Sequence, residues 1–194
     1  MLPADAFTRL VPCTIRDYTP EDREACLEVY HSNVPDPCPE AILPLCARFL
    51  DEGTSYLLVV EHEGRVAGCG GLELRGEGPF AHLFFGFLHK DWQGRGLGTT
   101  LLAARLSLIE HEGQDITVHL EAGTEAAGFF GRFGFKLGAV KANVLGPGRD
   151  VGHLVLQITP GEIDELGRRL AASGTVIELL TPEAGELEEE LLDE

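Results

Sequence analysis

Gly94, Gly96 and Gly98 alternate within the run Gln93-Gly94-Arg95-Gly96-Leu97-Gly98, and their surroundings give that spacing chemical meaning. An apolar segment, His82-Leu-Phe-Phe-Gly-Phe-Leu88, precedes the run and reads as a buried strand. After it, residues 99–109 carry Leu101, Leu102, Arg105, Leu108 and Ile109 at helical spacing, a mostly apolar face. The run is therefore the turn from a strand into a helix. Glycines let its backbone N–H groups approach a ligand closely, and the helix start adds unpaired donors and the positive end of a dipole. Such a turn cradles a pyrophosphate. No Lys-Ser or Lys-Thr follows Gly98, which argues against a nucleoside-triphosphate loop. The spacing G-x-G-x-G in mid-chain also fits the dinucleotide fingerprint badly.

The elements that must position this turn follow from the rest of the pattern. Residues 13–16 read as a short strand. Thr19, Pro20, Glu21 and Asp22 then start a helix that ends near His31, with Thr19 as cap and proline at the first position. A proline-punctuated loop leads to a second helix over about 40–51, closed by Gly53. Segments 55–62 and 65–74 form a hairpin about Glu63-Gly64, and 81–88 is the next strand. Beyond the glycine turn and its helix come a strand at 116–121, a helix at 125–133 and strands near 135–143 and 153–159.

The stretch Leu88-His-Lys-Asp-Trp-Gln-Gly-Arg-Gly-Leu-Gly98 resembles the acetyl-coenzyme A loop of the GNAT N-acetyltransferases, Gln/Arg-x-x-Gly-x-Gly/Ala after a strand, with Gln93, Gly96 and Gly98 at the signature positions. The element order over residues 13–159 is similar to that family's, an α/β (α+β) fold with a mixed sheet. A second segment, Thr124 to Phe135, is similar to the family's Asn-x-x-Ala-x-x-Phe-Tyr-x-x-x-Gly-Phe, matching at Ala126, Phe129, Gly134 and Phe135. The asparagine falls on Gly123, or on Thr124 with one deletion. The tyrosine, which commonly protonates the departing thiolate, falls on Phe130, which has no hydroxyl.

The resemblance implies acetyl-coenzyme A as acyl donor, held by Phe87, Leu88, Gln93, Gly94, Arg95, Gly96, Leu97, Gly98, Thr99, Phe129 and Phe130. It also implies direct transfer to an amine in a ternary complex. An alkyl ammonium must lose a proton before it attacks, so a general base is needed. The family's base often lies eleven residues before the loop's glutamine, here His82, with Glu73, His119 and Glu121 as alternatives near neighbouring strand ends. Gly86, a glycine inside an apolar strand, marks a bulge. In the family the amide at that bulge binds the thioester carbonyl, and the residue two further on, Leu88, pairs with the pantetheine arm. The missing tyrosine keeps a second reading open, an acetyl-coenzyme A-binding regulatory protein with weak or no transfer. A longer acyl donor also fits.

Composition narrows the partners. With 194 residues, 44% hydrophobic and 24% charged, the chain suits one soluble domain at 1–159 with an extension at 160–194. The longest apolar run is too short for a bilayer and no signal-peptide pattern leads the chain, so a cytoplasmic location is expected. Cys13, Cys26, Cys38, Cys46 and Cys69 contain no C-x-x-C pair, and the histidines lack ligand spacing. Reduced thiols and no metal are expected. A net charge of −17 argues against nucleic acid and anionic membranes, and favours a cationic acceptor such as a small-molecule or peptide amine. Over half of that charge sits in residues 160–194, so a solvated acidic tail explains much of it. Loops 30–39 and 145–152 shape the acceptor site in this fold, and neither names a substrate. In the extension, Ile163, Leu166 and Leu170 share one helical face, residues 175–180 resemble a strand, and 182–194 an acidic helix or tail. The apolar face must dock on its own domain or on a second subunit of a homodimer.

Overall fold

The computed structural model describes residues 2–52, 56–74 and 78–179. Strand β1 (Thr14–Asp17) leads through a 3-10 turn, Pro20–Asp22, into helix α1 (Arg23–His31). The helix entry is held by Asp22, whose carboxylate accepts the Thr19 N–H at 2.9 Å and both terminal nitrogens of Arg16 at 2.7 and 2.8 Å. A second 3-10 turn, Glu40–Ile42, opens α2 (Leu43–Glu52). Strands β2 (Tyr56–His62), β3 (Arg65–Leu74) and β4 (Phe80–Leu88) follow as a meander. The β2–β3 turn has Glu63 and Gly64 at φ 51° and 71°, the doubly left-handed pair whose twist suits a two-residue hairpin.

The second half comprises α3 (Leu97–Ser107), β5 (Ile116–Gly123), α4 (Ala127–Gly131), β6 (Lys136–Lys141), β7 (Val151–Ile158), α5 (Pro160–Ser173) and β8 (Val176–Glu178). The element order expected from the sequence is present. Helix α3 starts at Leu97, so Gly98 lies inside it rather than before it, and α4 is a shorter helix than residues 125–133 suggested. Gly53, Ser55 and the acidic 182–194 segment lie outside the described residues.

All eight strands form one mixed sheet in the order β6-β7-β5-β4-β3-β2-β1-β8. Neighbours are antiparallel except β4–β5 and β1–β8. Alternation along the strands sends Leu58, Val60, Leu72, Leu83, Val118, Leu120, Leu154 and Leu156 to one face, where α3 and α5 cover them. On the other face α1 and α2 pack over the β2–β4 half through Cys26, Tyr30, Cys46, Leu50, Val59 and Cys69. The β5–β7 half of that second face carries Thr117, His119, Glu121, His153 and Gln157, alternating with the core residues of those strands.

One interruption of the sheet matters for function. Strands β4 and β5 pair only from Phe80–Leu83 to Thr117–Leu120. Beyond that point β4 continues to Leu88 beside β3 and β5 to Gly123 beside β7, which leaves an opening between them.

The extension is built into this core. Thr159 and Glu162 form a capping box, with the Thr159 N–H donated to Glu162 Oε2 at 2.9 Å and the Glu162 N–H to Thr159 Oγ1 at 3.3 Å. Gly174 ends α5 at φ 82°. Ile163, Leu166 and Leu170 are buried, α5 packs on α3, and β8 pairs in parallel with β1. The apolar stripe is thus covered within the chain. All five cysteines are buried and free. Burial pushes the thiols of Cys13 and Cys46 up to about 11 and that of Cys38 to about 12. A hydrogen bond with Cys26, followed by burial, raises that of Cys69. None of these four offers a nucleophilic thiolate at neutral pH.

Candidate active site

The glycine turn joins the end of β4 to the start of α3. Gly94 and Gly96 have φ of 72° and 96°, backbone that non-glycine residues avoid, and Gly96 caps α3. The first helical bonds run from the Thr99 and Thr100 N–H groups to the Gly96 carbonyl, at 3.0 and 3.1 Å. Upstream of them, the amides of Gly94 to Gly98 have no hydrogen-bond acceptor among the described residues. They gather at one helix N-terminus as donors without partners. Leu97 anchors the turn in the core with no exposed surface, and Thr100 Oγ1 accepts the Val11 N–H at 2.9 Å.

Gln93 and Arg95 do other work. The Gln93 amide nitrogen donates to Asn33 Oδ1 at 2.6 Å and more loosely to the Leu88 carbonyl at 3.3 Å. Asn33, 3% exposed, donates from Nδ2 to the carbonyls of Val29 and Leu88, both at 2.8 Å. So Gln93 ties the turn to the end of α1 and of β4, and the Leu88 carbonyl is already engaged there. Arg95 lies over the Trp92 ring at 4.9 Å, whose edge in turn meets His62. No local pattern signals the Asn33 lock, because nothing near either residue in sequence links residue 33 to residue 93.

A Cβ placed on Gly98 would meet Leu88 Cδ1 at 3.5 Å and Phe129 Cζ at 3.7 Å, so these side chains flank the first turn of α3. Phe129, Phe130, Phe133 and Phe135 pack edge to face, with centroids 5.0 to 5.6 Å apart, and Arg132 lies over Phe129.

The bulge expected at Gly86 is present. Pairing between β3 and β4 shifts register between Cys69 and Gly71, and Phe85 takes φ 43° there. Consequently Phe84 and Phe85 both pack against Phe49 of α2, each with a centroid distance of 4.8 Å. Gly86 turns the other way, toward α3, where a Cβ would come within 2.9 Å of Arg105 Nη2.

The candidate bases gather on the open half of the α1–α2 face. His82 sits opposite Glu73 on β3 and opposite His119 on β5, so three candidates form one row across three strands. His119 Nδ1 lies 3.0 Å from His153 Nε2, the two rings stacked almost parallel. Burial and the neighbouring His153 lower the His119 pKa. Glu121, exposed, is ion-paired with Lys141 at 3.0 Å. His153 was invisible as a member of this group in the sequence, since only the β5–β7 pairing brings it to His119. Over the same face, Arg149 donates to the Pro35 carbonyl at 2.7 Å and approaches Asp36 at 3.9 Å. That contact ties the loop before β7 to the loop between α1 and α2.

The acetyltransferase (GNAT) domain family model matches residues 18–143. Among solved structures, the chain is similar to a GNAT-family protein from Desulfovibrio desulfuricans, with TM-score 0.63 and 18% identity over 75% of this chain and 98% of that one. It is also similar to the ribosomal-protein-S18-alanine N-acetyltransferase of Escherichia coli, with TM-score 0.61 and 19% identity over 76% and 94%. An aminoglycoside 6'-N-acetyltransferase complexed with coenzyme A gives TM-score 0.61 and 11% identity over 75% and 97%. No curated protein sequence matches.

Proposed function

The chain belongs to the GNAT acetyltransferase family, and from that premise we propose that it transfers acetyl from acetyl-coenzyme A directly to an amine in a ternary complex. The observation that carries the reading is the turn at Gly94–Gly98, where backbone donors without acceptors among the described residues open α3 after the end of β4. A pyrophosphate on these amides satisfies them and meets the positive helix end. The pantetheine arm then runs past Gly98, Leu88 and Phe129 to the bulge. There the Gly86 N–H serves the thioester carbonyl. With the Leu88 carbonyl held by Asn33 and Gln93, its N–H is the group left for the arm.

His82 is the base in this reading, with Glu73, His119 and Glu121 as the alternatives. Its row on the open sheet face lies under the bridged loops, where an acceptor enters. Direct transfer also suits the cysteines, because all five are buried, with no exposed thiol to receive an acyl group. Structures of this fold include a ribosomal-protein-alanine N-acetyltransferase and an aminoglycoside N-acetyltransferase, so the proposed acceptor class spans protein and small-molecule amines. Phe130 specifically favours a second reading, cofactor binding with little transfer, since it gives sulfur no proton. A panel of peptide N-termini, polyamines and aminoglycosides, scored by thiol release, tests the proposal. Release with at least one amine is expected. No release across the panel, with coenzyme A binding confirmed by calorimetry, would leave the binding-protein reading standing.

A further inference from the structure

Helix α3 is apolar on nearly every side, with Leu101, Leu102, Ala103, Ala104 and Leu106 all buried, yet it carries Arg105 at 4% exposure. No carboxylate among the described residues meets this guanidinium. Its Nε has no acceptor, and Nη1 lies 3.5 Å from the carbonyls of Gly71 and Phe84, too long for strong bonds. Burial lowers its pKa to about 10, which still leaves it charged at neutral pH. A buried cation without a counter-ion is costly.

The fold nonetheless makes room for it. A Cβ on Gly86 would stand 2.9 Å from Nη2, and one on Gly70 would stand 3.1 to 3.2 Å from Nη1, Cζ and Nε. Two glycines on adjacent strands therefore clear the space behind the β4 bulge for one guanidinium. Gly86 has two duties there, to bend the strand and to admit the charge.

Resting on the acyl-transfer reading above, we propose that Arg105 is a positioning residue that holds the β4 bulge and sets a buried positive charge behind the thioester carbonyl. When the amine nitrogen forms its bond to the carbonyl carbon, the C=O π electrons move onto oxygen. That oxygen then needs positive potential already in place. When that pair returns to re-form the carbonyl, the C–S bond breaks and the sulfur leaves as thiolate with the bonding pair, while the amine's proton passes to the base. A charge buried as Arg105 is acts with less screening than one in water.

The test needs no knowledge of the acceptor. Acetyl-coenzyme A labelled with 13C at the thioester carbonyl is bound to the full chain and its carbonyl stretch read by difference infrared spectroscopy. The wild-type stretch should fall below that of free cofactor. Arg105→Met and Arg105→Gln should return most of that shift, and Arg105→Lys should keep much of it. With an active amine, kcat of Arg105→Met should fall about tenfold or more with little change in KM, while Tm holds or rises. An identical carbonyl frequency and kcat in the neutral variants would overturn the proposal. So would a Tm loss in which bound cofactor and activity fall together. Failure of the wild-type chain to bind acetyl-coenzyme A overturns instead the functional reading on which the proposal stands.

Discussion

Gly98→Asp isolates the cofactor cradle from the fold more cleanly than any other change in the glycine turn. Gly98 is helical, and a Cβ there would make ordinary contacts with Leu88 and Phe129 at 3.5 and 3.7 Å. Alanine should therefore cost the fold nothing, and the gain in helix propensity is up to about 1 kcal/mol. Aspartate in the first turn adds a favourable interaction with the helix dipole, about 0.3–1 kcal/mol. Both variants should melt at or above the wild-type temperature. Cofactor binding should respond oppositely. A carboxylate about 5 Å from one phosphate charge costs about 3 kcal/mol at an effective dielectric near 20, roughly a hundredfold in affinity. Gly96 is the wrong place for this experiment. Its φ of 96° and a Cβ contact of 2.7 Å with Val11 would strain any side chain, so lost binding there would report folding. Calorimetric titration with coenzyme A, beside thermal melts, is the assay. A Gly98→Asp protein that melts normally and binds coenzyme A like wild type refutes the cradle.

Other outcomes follow from the same geometry. His82→Ala should lower turnover by about a hundredfold and remove the acidic limb of the pH–rate profile, with coenzyme A affinity unchanged in calorimetry; wild-type turnover would move the role to Glu73, His119 or Glu121. Asn33→Ala removes the lock on Gln93 and the Leu88 carbonyl, so it should cost about 1–3 kcal/mol in denaturant unfolding and weaken coenzyme A binding without touching the ligand. Because its native pKa is lowered, His119 binds fewer protons folded than unfolded, so its contribution is whole above the ordinary histidine pKa of about 6.5 and is lost on acidification toward the lowered value. Melts between pH 7 and 5 should therefore fall less steeply for His119→Gln than for wild type, a window above the carboxylate titrations.

The sequence made the local parts legible. Glycine spacing marked the turn, a glycine in an apolar strand marked the bulge, and proline and acidic residues marked the start of α1. Each of these is decided by a few neighbouring residues. What escaped was set by pairing between distant strands. Arg105 read as one position on an apolar face, because nothing near it in sequence shows that Gly70 and Gly86 stand opposite. His153 joined His119 only through the register of β5 with β7, and Gln93, assigned to the cofactor by motif, turned to Asn33 across a distance no local pattern encodes.

The extension shows how the same limit works on packing. A stripe of Ile163, Leu166 and Leu170 demanded a cover, and sequence alone could not choose between this chain and a second one. The structure gives α3 as the cover and β1 as the partner of β8. Leu166, 1% exposed, lies in that interface. Leu166→Ala should therefore destabilise by about 2–5 kcal/mol, the range for a buried leucine that leaves a cavity. Truncation after Thr159 removes all three side chains, each worth about 1.5–3 kcal/mol of burial, together with an edge strand. It should leave a protein that unfolds or aggregates, rather than a folded monomer released from a dimer. Light scattering and thermal melts on both variants distinguish these outcomes. A truncated chain that keeps its Tm while its mass halves would mean that the stripe is covered by a second subunit.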